Sequence, residues 1–390
     1  MLAFDRSEYD TRLERTKTSM QAHGIEVLLC HDTANMNYLT GYDGWSFYTP
    51  QCVVVALDLD EPLWIGRGID GNGARVTTYL KEENIYPYGD DFVQTPLKHP
   101  MNFAADVLKA RGLDRGTVGL EMDSYYFSPA GYEALKGDLP NSTFINAEAL
   151  VNWVRCIKSP AELELMQQAA TILEKVMAVA FEQVTPGNRQ CDAAAAIYQA
   201  GISGTPEYGG DYTAIVPMLP TGAGTATPHL TWSDEVFKKG EATILELAGC
   251  RKRYHCPQAR TVFIGKPPKK LANAASWVVE GIEAAFDFIK PGVTAEEVER
   301  VWRDTIAKHG LIKESRCGYS TGLNYPPDWG EHTISLRPGD TTVLQPNMTI
   351  HFMPGIWMDD WGIEISECFR VTETGCEPLA NTPRELILKD

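Results

Sequence analysis

A single glutamate, Glu246, interrupts the apolar run TILELAG, and an acid buried alone in such a strand is costly unless it is paired or put to use. Side-chain alternation along a strand leaves the outward face open as a second placement. Facing inward, its carboxylate has two uses: attack on an electrophilic carbon, or activation of water. Histidines are natural companions, because imidazole changes charge near neutrality and moves protons, contributing roughly 10²–10⁴-fold. His229 follows Pro228 in a Gly- and Thr-rich stretch, and His255 sits in the turn sequence KRYHCP just beyond Glu246. A core or capping role for His229, and an exposed hairpin position for His255, are the plain alternatives. Glu364 and Glu367 lie together on GIEISE and point to opposite faces of a strand. Trp232, Trp357 and Tyr319 offer aromatic walls, although core packing is the commoner fate of a tryptophan.

These residues need a frame. The chain has 390 residues, which suits two domains. No run of about 18 apolar residues is present to span a membrane. The N-terminal MLAFDRSEYDTRLERTK places charges where a signal peptide needs an apolar core, so a cytoplasmic protein is expected. Nine cysteines without a C-x-x-C pair read as reduced thiols. The net charge of −17 argues against nucleic acid or anionic membrane as partner, since phosphates must be neutralised by Lys and Arg.

Periodicity predicts a helix over 5–23, buried strands at 25–30 and 51–58, and an aromatic loop between them. A helix over 101–111, a strand at 117–122 and a helix near 129–136 complete an α/β pattern. Ser159, Pro160 and Glu162 form a capping box that opens a long amphipathic helix. The expected domains are therefore 1–157 and 158–390. In the second, helices are expected at 189–201, about 270–288, and from Thr294-x-x-Glu297 to 309. The strand-like ATILELAG and RTVFIG flank a basic turn.

The boundary segment R-x-I-K-S-P-x-E-L resembles the hinge opening the catalytic domain of the aminopeptidase P, prolidase and creatinase family. Later blocks are similar to that family in its own order: TGAGTATPHL, LELAGCRKRYHCPQARTVFIG, CGYSTGLNYP, PNMTIHFMPGIWM and GIEISECFRVTE. The resemblance implies an α+β fold, a pita-bread C-terminal domain behind a smaller α/β N-terminal domain, assembled as a homodimer or larger. Metallopeptidases of the family hold two divalent ions with two Asp, one His and two Glu. Here the matching positions fall on Leu247, Pro257, Tyr319, Met353 and Ser366; a one-residue slip would substitute Glu246 for Leu247. Leu, Pro and Met offer no hard donor, so no metal and no cofactor is expected. His229 falls at the histidine base of the metal-independent creatinase branch. Ala259 and Met353 stand where creatinase places its substrate-binding glutamates, which argues against creatine. Glu364 and His351, each two residues before a ligand-equivalent position, share its inward face.

PMLPTG, TPHLTW, MPGIWMDDWG and EISE are similar to a ring-opening branch whose substrate is a cyclic amidinium carboxylate. Such a cation calls for a carboxylate facing its N–H groups and aromatic faces beside it. The expected assignment makes Glu246, His229 and His255 catalytic, with Glu364, His351, Tyr319, Trp357 and Trp232 binding substrate. Arg260 would either pair with a buried carboxylate or meet the substrate carboxylate. Two rivals stand beside this reading: a creatinase-like amidinohydrolase on another guanidino or amidino compound, and a catalytically dead pseudo-peptidase that binds a protein partner.

Overall fold

A computed structural model describes residues 2–390. The chain divides into two compact units between Arg155 and Cys156, just ahead of the boundary expected from the Ser159 cap. No described helix is long and apolar enough to cross a membrane.

The first unit is built on a six-stranded mixed sheet. Its strands are β1 (Val27–Cys30), β2 (Cys52–Ala56), β3 (Leu63–Arg67), β4 (Ile85–Tyr88), β5 (Gly116–Leu120) and β6 (Ser142–Asn146), in the order β4-β3-β2-β1-β5-β6. Every residue of β1 and β2 is buried, which is why both read as unbroken apolar runs. The segment after β1 departs from expectation. Its first half is the helix Thr33–Thr40, capped by the Asp32 carboxylate accepting from Ala34 N–H and ended by Gly41 at φ 83°. Cap chemistry at both ends outweighs the aromatic composition that suggested a loop.

The second unit opens with the helix Pro160–Gln183. Glu162 N–H donates to Ser159 Oγ at 3.2 Å and Ser159 N–H to the Glu162 carboxylate at 2.9 Å, the reciprocal capping box. This helix lies on a long hairpin of β7 (Ala242–Arg251) and β8 (Tyr254–Ile264). The approach is close because position 249 is glycine: a Cβ there would stand 2.0 Å from the Ala169 carbonyl oxygen. Beyond the hairpin come β9 (Gly318–Thr321), β10 (Gly330–Ser335), β11 (Thr349–Phe352), a short ribbon of β12 (Ile356–Trp357) and β13 (Gly362–Ile363), then β14 (Glu367–Val371), β15 (Cys376–Pro378) and β16 (Ile387–Lys389). A five-stranded sheet runs β10-β9-β11-β14-β15, while β16 joins the outer edge of β8. Helices Lys269–Phe288 and Ala295–Ala307 contribute Val278, Ile282, Val298 and Trp302 to one core with Ile350, Phe352 and Phe369 of that sheet.

Candidate active site

Hairpin register decides which residues share a face. Glu246 lies opposite Ala259 and Ala248 opposite Pro257, whereas Leu247 lies opposite Gln258. Cross-strand partners point the same way, so Glu246 and Pro257 share one face and Leu247 takes the other. Ala248, on the Glu246 face, packs with Tyr319 and Trp329, with Met353 alongside. The face that carries Pro257 thus carries Glu246 and not Leu247, the pairing that the one-residue slip gives.

A row of residues crosses from this hairpin to the neighbouring sheet. Ala259, beside Glu246, donates its N–H to Ser366 Oγ at 2.6 Å and accepts the Ser366 N–H at 3.0 Å. Ser366 Oγ meets His351 Nε2 at 2.8 Å, and His351 Nδ1 meets the Tyr319 hydroxyl at 3.1 Å. Trp329 Nε1–H donates to the same hydroxyl at 2.8 Å. Glu364 enters from the segment between β13 and β14, with its backbone N–H and C=O both held by Thr261 Oγ at 2.9 Å.

Electrostatics set these groups apart. Glu246 is 4% exposed and Glu364 1%. The Glu246 carboxylate makes no hydrogen bond to a described residue, and both Glu364 oxygens are buried without a partner. Burial first, then the nearby charges of Glu364 and Asp328, pushes Glu246 well above the usual carboxylate range. Burial raises Glu364 to about 7, with the Lys313 ammonium easing it back. Burial lowers His351 to about 3 and His255 to about 4, so both are neutral imidazoles at pH 7.

Several expected residues stand elsewhere. His255 is not on a turn but inside β8, opposite Cys250, fully buried, with Nε2 accepting the Ala214 N–H at 2.8 Å. The neutral imidazole positions the 214 segment through Nε2, while Nδ1 is buried without a partner among the described residues. His229 lies exposed beyond the short turn Gly222–Ala226 and bonds to no described residue, although Thr225 ties that turn to Gly362 at 3.2 Å. Trp232 meets Tyr198 of the helix Gln190–Ser203 edge-on at 6.1 Å. Trp357 carries the Lys313 ammonium 4.4 Å from its ring centroid, so its cation is supplied by the chain. Arg260 is resolved as well: it is buried against Glu367 at 2.7 Å and four backbone carbonyls, which is structural work. Sequence reasoning missed Trp329, Asp328, Lys313 and Arg316. The Arg316 guanidinium lies 4.4 Å from the Tyr319 ring centroid, exposed and without a hydrogen bond to a described residue.

The donor set does not fit the two-ion site of the metallopeptidases. Pro257 and Met353 supply no hard donor, both His351 nitrogens are committed, and no cluster of three His, Cys, Asp or Glu suited to a metal occurs among the described residues.

The chain belongs to the metallopeptidase family M24, matched over residues 164–373, and carries a creatinase/prolidase N-terminal domain over residues 12–157. Its architecture is the α+β pita-bread fold, preceded in sequence by a smaller α/β domain. It is 48% identical to the ectoine hydrolase of Halomonas elongata, covering 100% of this chain and 99% of that protein. A hydrolase/peptidase of Sinorhizobium fredii is 46% identical over the full length of both chains. The crystal structure of an X-Pro aminopeptidase from Thermotoga maritima superposes with a TM-score of 0.80 at 22% identity, covering 96% of this chain and 99% of that one; the likeness is one of fold.

Proposed function

We propose that the chain is a metal-independent hydrolase that opens the cyclic amidine ring of ectoine to an N-acetyl-2,4-diaminobutyrate, acting in the cytoplasm as a homodimer. One observation carries this reading: both Glu364 oxygens are buried without a hydrogen-bond partner, within reach of the charge of a second buried carboxylate, Glu246. Such a pair is costly in isolation and is relieved by a cation that brings its own N–H donors. A planar amidinium is such a cation. The substrate's carboxylate would meet Arg316, whose guanidinium stands on the exposed side of Tyr319.

In the reaction, amidinium and water give an amide and an ammonium group. Glu246 holds the water that attacks the carbon between the two nitrogens, or attacks that carbon itself. In the second case water then adds to the same carbon and the Glu246 O–C bond breaks to free the carboxylate. One ring C–N bond breaks, the water oxygen becomes the amide oxygen, and the two water protons pass to the departing nitrogen, which leaves as ammonium. Glu364 faces the amidinium N–H groups, and His229 manages the proton at the leaving nitrogen. Similarity to the Halomonas elongata ectoine hydrolase across the whole chain supports the choice of substrate.

The test is an assay of ectoine against creatine with wild type, Glu246→Gln and Glu246→Ala. Ectoine opening by wild type, abolished in both variants with melting temperature preserved, is expected. Full activity in both variants sinks the assignment of Glu246, and turnover of creatine in place of ectoine favours an amidinohydrolase of another specificity.

A further inference from the structure

Every hydrogen on the Ser366–His351–Tyr319 row can be assigned. Ser366 and His351 are fully buried and Tyr319 is 7% exposed, so unsatisfied donors are expensive. His351 is a neutral imidazole with one N–H. Two arrangements follow. In the first, Ser366 receives Ala259 N–H and donates its own proton to His351 Nε2, which leaves the imidazole proton on Nδ1, donating to Tyr319. In the second, His351 Nε2–H donates to Ser366, and the Ser366 proton then has no acceptor among the described residues. The first moves the one proton without an acceptor from Ser366, fully buried, to Tyr319, which is 7% exposed and borders Glu246, and is the arrangement the burial selects.

Its consequence lies at the far end. The Tyr319 oxygen then accepts from both His351 Nδ1–H and Trp329 Nε1–H. Its own proton finds no acceptor on the row and is left for a bound molecule. Glu246 is close enough for its charge to act on the phenol. We propose that Tyr319 donates a hydrogen bond to the oxygen that attacks the amidine carbon, with His351 and Ser366 as the positioning residues that hold it as a donor. The proposal rests on the ring-opening reading and changes the part of Tyr319 from an aromatic wall to a polar contact. Charge builds on that oxygen after it has added, as the adduct gives up its last O–H proton and the oxygen becomes the amide oxygen. A fixed donor costs no reorganisation at that stage, and removing one such donor lowers kcat by roughly 10²–10³-fold in acyl-transfer sites.

The experiment combines kinetics with a tautomer measurement. Tyr319→Phe is expected to lower kcat by about 10²-fold with KM nearly unchanged. Ser366→Ala removes the donor to Nε2, lets the imidazole proton move there, and turns the Tyr319 proton back onto Nδ1. It should therefore lower kcat too, while the Tyr319→Phe/Ser366→Ala double variant falls no further than Tyr319→Phe alone. Full kcat in Ser366→Ala, losses that multiply in the double variant, or a Tyr319→Phe defect confined to KM would each overturn the proposal. Nitrogen NMR of histidine-labelled wild type, with His351 assigned by its loss in His351→Gln, should find the proton on Nδ1; a proton on Nε2 overturns the relay. That measurement needs no substrate. Wild type that leaves ectoine intact would thus count against the ring-opening reading, while the tautomer still decides the relay.

Discussion

Glu364 holds two buried oxygens with no partner, and its protonation behaviour is a stability statement as well as a chemical one. Its folded pKa is raised to about 7 from 4.5. Stability is therefore intact below the unfolded value and is lost as pH rises through about 7, by about 3 kcal/mol at pH 8. Glu364→Gln escapes that loss. Its melting temperature relative to wild type should rise by about 5 °C or more between pH 5 and pH 8, read by calorimetry without ligand; an offset identical at both values would contradict the assignment. The same sign governs activity. Raised carboxyls must shed protons to meet an amidinium, so kcat/KM should fall as pH drops through about 7, and a profile flat across about pH 6 to 8 would count against it. Glu246 was legible as a lone acid in an apolar strand, and Glu364 through its two-residue spacing to Ser366. Trp329, Lys313 and Arg316 were not, because they arrive from irregular segments whose path no periodicity encodes. His255 misled because its sequence reads as a turn, while the real turn falls at Lys252 and Arg253, both at positive φ.

The β7–β8 hairpin positions the site, and its distance from the helix Pro160–Gln183 depends on one missing side chain. At Gly249 a Cβ would enter the Ala169 carbonyl, so Gly249→Ala must push helix and hairpin apart. Urea unfolding should register a loss of about 1–3 kcal/mol or more, with Glu246 displaced and activity reduced together; a loss under about 0.5 kcal/mol would contradict this packing. Helices of this unit were readable because their caps are local, as at Ser159 with Glu162 and Thr294 with Glu297. The hairpin's frame was harder. A slip of one residue exchanges the two faces of a strand, and only the observed pairing of Glu246 with Ala259 separates Glu246 from Leu247. The helix Thr33–Thr40 was hidden by a run of aromatic residues whose caps, Asp32 and Gly41, carry the signal.

At the scale of the whole molecule, the family's two domains are both present. Pro257, Tyr319, Met353 and Ser366 fill the frame, and the carboxylates left are the uncompensated pair Glu246 and Glu364. A frame that once suited cations of its own would then take its positive charge from the substrate. Treating the protein with a strong chelator, removing it, and following ectoine by proton NMR tests this most directly. Ring opening at the untreated rate, without added metal, is the predicted result. Loss of all activity, restored by Mn²⁺ or Co²⁺, would contradict it.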